Sequence, residues 1–172
     1  YGAAKVYAHH MAHVYRLQGV WVSCGILFNH VSVTHGREFL PNKVVHAAAE
    51  IRAQRQESIR LGALWPQRDW GWAPEYVEGI IKILRHTEPD DFVLATGRPG
   101  TVKAFCDAVF QEFGLSLDDW LVNDGGELRP VEIALLQGNA EKARVKLGWR
   151  AKSDWRDVAR LLSAHKMEMV SA

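Results

Sequence analysis

Apolar positions along the chain fall into short β-length runs that alternate with stretches of helical spacing. In residues 1–18, Val6, Met11 and Val14 recur near the helical period, and Gly19 supplies a stop. Residues 20–28, VWVSCGILF, are β-branched and aromatic and read as a buried strand. Residues 29–37 read as loop. Pro41 suits the first turn of a second helix reaching about residue 54, with Val44, Val45, Ala48 and Ile51 on its inner face. A strand over residues 58–64 and a Trp-rich loop up to Ala73 come next. Pro74 opens a helix over 75–85, for which Val77, Ile80, Ile81 and Leu84 are the expected inner face.

The remaining pattern predicts a strand at 92–96, a turn at 97–100 and a helix at 101–113 that Thr101 can cap. A strand at 119–122 follows, then helices at 140–147 and 153–169, the second capped by Ser153. Strands alternating with helices predict α/β architecture. No internal repeat or low-complexity tract interrupts it.

Composition narrows the function classes. The chain has 172 residues, 48% of them apolar, enough for a real core. Its 21 basic and 20 acidic residues leave a net charge of +1 without long like-charge runs, which argues against nucleic acid as a partner. No stretch approaches the roughly 20 apolar residues of a membrane span. Cys24 and Cys106 lie in apolar stretches, so a disulfide framework is not expected, and the default setting is reducing and cytoplasmic. His9, His10 and His13 cluster without an HExxH arrangement, and no metal site is expected. The chain has no initiator Met and begins inside a helical pattern, so it reads as part of something longer.

Tyr1 and Lys5 are the sharpest chemical feature. Four residues apart on a helix, the two side chains share a face. A free phenol titrates near pH 10, and a neighbouring ammonium favours the phenolate. Such a pair can take a proton from a hydroxyl while hydride leaves its carbon. An ordinary surface pair has the same spacing, so the motif alone decides nothing.

Context decides more. Tyr1-Gly2-Ala3-Ala4-Lys5 followed by Gly25-Ile26-Leu27-Phe28-Asn29-His30 resembles the tyrosine helix and next strand of the GDP-mannose 4,6-dehydratases. Further matches arrive in that family's order. They are Gly36 through Phe39 to Lys43, then Arg68-Asp69-Trp70-Gly71 with Ala73 and Tyr76-Val77-Glu78. Pro89 through Gly97 (PDDFVLATG), Leu128-Arg129-Pro130 with Glu132, and Lys142-Ala143 through Lys146-Leu147-Gly148-Trp149 complete the series.

The resemblance, which covers essentially the whole chain, implies the C-terminal part of an extended short-chain dehydrogenase/reductase fold of Rossmann type, joined to a smaller α/β substrate-binding domain. Residues 1–37 would be the tail of the NADP-binding domain. Residues 38–172 would form mainly the nucleotide-sugar-binding domain, with some elements returning to the first. The glycine-rich dinucleotide turn of such folds has no counterpart in the chain, since no Gly-x-Gly-x-x-Gly occurs. The sequence by itself is therefore expected to be inactive.

The family resemblance also implies a site. Tyr1 and Lys5 would be catalytic and, with His30 and His35, would meet NADP. Asn29, Lys43, Leu61, Gly62, Arg68, Val102, Arg129 and Glu132 would bind GDP-mannose, with Arg68 and Arg129 on its diphosphate, where a planar guanidinium binds bidentately. The implied reaction is a lyase cycle: oxidation at C4, loss of water across C5 and C6, and return of hydride to C6. A homodimer or homotetramer is the implied assembly. Trp65, Trp70 and Trp72 are expected to pack around the site loop more than to stack on a base.

Some positions depart from the family. Thr34-His35 stands where two arginines are usual, Pro41-Asn42 where Thr-Arg is usual, and Ala63, Trp65, Trp72, Ala134 and Asn139 replace polar or charged residues. Two other readings stay open: a related nucleotide-sugar reductase or epimerase, and a non-catalytic nucleotide-sugar-binding remnant.

Overall fold

A computed structural model of the chain describes residues 1–122 and 132–171. The chain opens with α1 (Gly2–Leu17), β1 (Cys24–Leu27), β2 (Asn29–Val31) and α2 (Leu40–Arg52), followed by three short strands, β3 (Ile59–Arg60), β4 (Gln67–Arg68) and β5 (Trp70–Trp72). Next come α3 (Ala73–Leu84), β6 (Asp91–Leu94), β7 (Gly100–Thr101) and α4 (Val102–Glu112). The last elements are β8 (Leu121–Val122), β9 (Leu135–Leu136), α5 (Glu141–Leu147) and α6 (Trp155–Ser171). The architecture is α/β, as the alternating pattern predicts.

Pairing is long-range and mostly parallel. β1 runs parallel to β6 with Cys24 opposite Asp91, β2 parallel to β5, and β3 parallel to β8. β4 pairs antiparallel with β7 and parallel with β9. This revises three expectations. The strand expected at 20–28 begins only at Cys24, and its Gly25 and Ile26 are exposed. The loop expected from residue 29 starts instead with β2, because Asn29 to Val31 find partners in Trp70 to Trp72. The Trp-rich loop likewise contains β4 and β5.

Two apolar clusters hold the molecule together. The larger packs Val44, Val45, Ala48 and Ile51 of α2 against Phe105, Val109 and Phe110 of α4 and Val158 and Leu162 of α6. The smaller gathers Tyr76 and Ile83 of α3, Phe92 and Leu94 of β6, Ala143 of α5, and Trp149. The expected inner face of α2 is therefore the observed one. That of α3 is not: Tyr76, Gly79 and Ile83 are buried, while Val77, Ile80, Ile81 and Leu84 face out. A side chain on Gly79 would meet Leu94 Cδ1 at 2.7 Å and Trp149 Nε1 at 3.0 Å, so the helix approaches its neighbours through a glycine that hydropathy does not register. No residue of α1 is fully buried.

Capping follows side-chain chemistry. Thr101 accepts from the Ala104 N–H as expected. At α6 the cap is Asp154 rather than Ser153. Its carboxylate accepts from Arg156 N–H while Asp157 accepts from Asp154 N–H, a reciprocal arrangement like a capping box. The Ser153 hydroxyl donates to Glu75 instead. Among the described residues no helix is long and apolar enough to cross a membrane.

Candidate functional site

The site begins at the turn between β1 and β2. Phe28 N–H donates to the Leu94 carbonyl, which carries the β1–β6 pairing one residue further and then releases the chain into β2. Asn29 and His30 are thereby set at the end of the sheet, where α/β proteins commonly place ligands. His30 Nδ1 donates to the Phe28 carbonyl at 2.9 Å, so in the neutral ring Nε2 carries the free lone pair. The ring stacks on Tyr76 with centroids 5.3 Å apart and planes 25° apart. Burial, then Asp69 and Glu75, push the Tyr76 phenol well above its ordinary value, so this tyrosine stays protonated and supports His30 as an aromatic wall.

The β4–β5 segment brings the opposite wall. Asp69 is fully buried and accepts from the Thr96 N–H, the Thr96 hydroxyl, the Gly97 N–H and the Gly138 N–H, all within 3.1 Å. This one carboxylate ties β4 to the turn after β6 and to the segment after β9. Its neighbour Arg68 donates through Nη1 to the Gln67 and Ile133 carbonyls, at 2.8 and 2.7 Å, and through Nη2 to Glu132. Five N–H donors are available on a guanidinium; three of these are engaged among the described residues.

Between these walls lies a cavity of about 750 Å³. It is lined by Tyr1, Asn29, His30, His35, Arg68, Val102 and Glu132, seven of the residues singled out in the sequence. Phe28, Phe39 and Trp70, which the motifs contain, supply apolar wall together with Pro66, Ile133 and Leu136, which the motifs did not flag. Adjacency was the available signal, since each lies within a few residues of a flagged position. Pro41 and Ala63, two of the departures from the family pattern, also line it.

Other flagged residues lie elsewhere. Lys5 does not line the cavity; its Nζ sits over the Tyr1 ring, 5.3 Å from the centroid. Lys43 is half-buried on α2, Leu61 is buried, and Gly62 is half-buried just after β3; none of the three lines the cavity. Arg129 lies outside the described residues. Trp70 packs on Phe105 with centroids 4.9 Å apart, as expected of a packing tryptophan, whereas Trp65 is 56% exposed.

Comparison with known proteins agrees with the motif reading. The family profile described as GDP-mannose 4,6 dehydratase matches residues 1–162. The chain belongs to that family. It is 40% identical to the GDP-mannose 4,6-dehydratase of Sinorhizobium fredii (strain HH103) over 92% of this chain and 50% of that protein. GDP-mannose 4,6 dehydratase 1 of Arabidopsis thaliana is 36% identical over 98% of this chain and 47% of its own length, and the Homo sapiens GDP-mannose 4,6 dehydratase 32% over 99% and 50%. The chain thus spans about half the length of the curated dehydratases it matches. Among solved structures, RMD from Pseudomonas aeruginosa complexed with NADPH superposes with a TM-score of 0.87 at 16% identity, covering 98% of this chain and 56% of that one. The dTDP-glucose 4,6-dehydratase of Bacillus anthracis in complex with NAD gives 0.84 at 16% identity, over 98% and 52%. These two likenesses show the shared α/β fold.

Proposed function

We propose that the whole protein converts GDP-mannose to GDP-4-dehydro-6-deoxymannose with NADP, and that this chain contributes the catalytic tyrosine helix and one wall of the nucleotide-sugar site. The observation that supports this most is the convergence of Tyr1, Asn29, His30, Arg68 and Glu132 on one cavity. These residues come from four separate stretches of sequence, and their shared cavity is large enough for much of a nucleotide sugar.

In this reading Arg68 holds the substrate diphosphate, aided by Arg129, while Asn29, Lys43, Leu61, Gly62, Val102 and Glu132 serve its sugar and nucleoside parts. Tyr1 removes a proton from the C4 hydroxyl, and Lys5, one turn along α1, reaches toward the cofactor ribose. The fit to NADP is at its nicotinamide end, because Tyr1, His30 and His35 line one cavity. NADP, when bound, supplies the hydride acceptor and donor. His30 presents an aromatic edge held by Tyr76 and the Phe28 carbonyl, a rigid surface for an aromatic ring. Residues 1–37 are the tail of the cofactor domain, and β6 returns to it by pairing with β1; residues 38–172 otherwise serve the nucleotide sugar.

The free thiols Cys24 and Cys106 suit a cytoplasmic setting. A homodimer or homotetramer fits the exposed Val6, Tyr7, Val14 and Tyr15 of α1. In the full-length protein, GDP-mannose at a hundredfold excess over its Kd is expected to add about 2.7 kcal/mol of stability, read as a rise in melting temperature. Arg68→Ala should remove most of that rise. Stabilisation by UDP-sugars and not by GDP-sugars would overturn the substrate assignment. Tyr1→Phe should abolish most turnover while leaving that rise in place, and unchanged turnover would remove Tyr1 from the mechanism.

A further inference from the structure

Outside the cavity, three potential metal ligands from three elements converge. His9 Nε2 of α1 lies 2.7 Å from Asp91 Oδ2 of β6. Cys24 of β1 is the register partner of Asp91. The imidazole nitrogen, the sulfur and the carboxylate oxygen all lie within 4.8 Å of one another, and all three residues are half-buried. None of them lines the cavity that holds Tyr1.

We propose that His9, Cys24 and Asp91 form a binding site for a divalent zinc-class ion, which fastens α1 to the β1–β6 sheet. This is the reverse of what the sequence spacing led us to expect, because the ligands are brought together by strand register and not by a local motif.

The donor set selects the ion. A thiolate with an imidazole favours zinc over magnesium or calcium, which prefer all-oxygen cages. Tetrahedral zinc, with bonds of about 2.0–2.3 Å, places its ligand atoms roughly 3.3–3.8 Å apart. The His9–Asp91 contact, 2.7 Å, must therefore open by about half an ångström. A water completes the fourth position. Arg16 occupies the other oxygen of the Asp91 carboxylate and also donates through Nε to the Val22 carbonyl at 3.0 Å. It thus fixes the carboxylate and leaves Oδ2 for the ion, as outer partners of metal ligands commonly do.

Coordination balances without redox. Bonds form from the ion to sulfur, nitrogen and oxygen; the thiol proton passes to solvent, the His9–Asp91 hydrogen bond breaks, and the neutral imidazole shifts its proton from Nε2 to Nδ1 by exchange with water, which frees the Nε2 lone pair. Thiolate and carboxylate together match the charge of the ion. The consequence for the fold is specific. Helix α1 has no fully buried residue and is tied to β6 through the contacts of His9 and Arg16 with Asp91. Tyr1 lies eight residues before His9, about 12 Å along the helix. An ion at this point would steady the element that carries the catalytic tyrosine.

Cobalt(II) titration of the full chain tests the site. The expected result is one ion per chain, with a thiolate-to-cobalt charge-transfer band and the visible bands of four-coordinate cobalt, both reversed by zinc. Cys24→Ser should abolish the charge-transfer band, and His9→Ala should weaken binding at least tenfold. His10→Ala and His13→Ala should leave both unchanged. Cobalt uptake without the thiolate band, or a band that survives Cys24→Ser or binds equally well in His9→Ala, would overturn the proposal. A second measurement needs no variant: saturating zinc should slow alkylation of Cys24 at least tenfold in the natural protein, and an unchanged rate would also overturn it.

Discussion

Arg68 and Glu132 form an ion pair in the wall of the cavity that Tyr1 lines, their side chains 13% and 19% exposed. Two backbone carbonyls fix Nη1 of the arginine, so its guanidinium plane is set before any ligand arrives. A fork held this way suits a diphosphate better than a mobile ammonium does. Arg68→Lys should therefore weaken binding of GDP-mannose by about 10- to 100-fold, roughly the difference between a bidentate charged contact and a single one. Isothermal titration of the full-length protein measures it. Affinity equal to wild type would show that the fork does not hold the ligand.

Removing the other partner tests a different property. Glu132→Ala leaves a largely covered guanidinium without its carboxylate, which should cost about 1–3 kcal/mol of stability. Urea unfolding reads this directly, and a loss below about 0.5 kcal/mol would mean the pair behaves like an ordinary surface bridge.

Asp69 should matter more than either. Its fully buried carboxylate satisfies four donors that come from two segments distant in sequence. Asp69→Ala strands those donors and is expected to cost about 3–5 kcal/mol. Thr96→Val removes only one hydroxyl and should cost about 1 kcal/mol. If the two variants unfold at the same urea concentration, the hub does not organise the site.

The helices that carry this framework were legible where their apolar residues face a partner within the chain. In α2, Val44, Val45, Ala48 and Ile51 announce a buried stripe, and they are buried. In α3 the same rule picks Val77, Ile80, Ile81 and Leu84, which are exposed, because periodicity finds a stripe without saying what covers it. Contact is made instead through Tyr76, Gly79 and Ile83, and the glycine carries no hydropathy signal. The strands β4 and β5 escaped for another reason. Each is two or three residues long and exists only through distant register partners. The candidate site was legible through motif order, which placed Arg68 and Glu132 on one cavity although 64 positions separate them. The wall residues Pro66 and Leu136 were not, since nothing in a lone apolar residue distinguishes cavity lining from core.

That exposed face of α3 leads to a prediction of its own. Val77, Ile80, Ile81 and Leu84 are 38–64% exposed and form one apolar stripe. Contiguous apolar surface of this kind promotes association. Replacing Ile80 and Ile81 by Lys should raise the solubility of the 172-residue chain several-fold without lowering its unfolding midpoint, since neither residue belongs to either core cluster. Light scattering against concentration is the measurement. A midpoint that falls sharply would show that the stripe is packed in solution.

Cys106 supplies a pH dependence whose sign can be worked out. Its side chain is fully buried in the larger core, and burial, then the nearby Asp107, push the thiol up to about 12. In the unfolded chain the thiol titrates near 8.5. Between these values the unfolded state loses a proton that the folded state keeps, so the unfolded state gains relative to the folded one as pH rises. Stability from this group is fully present below about pH 8 and falls by up to about 1.4 kcal/mol per pH unit above 9. Comparing urea midpoints at pH 8 and pH 10 should show a loss of about 2 kcal/mol, and Cys106→Ala should flatten the slope even if its small cavity lowers stability overall. A slope that persists unchanged in the alanine variant would assign the alkaline loss to another group.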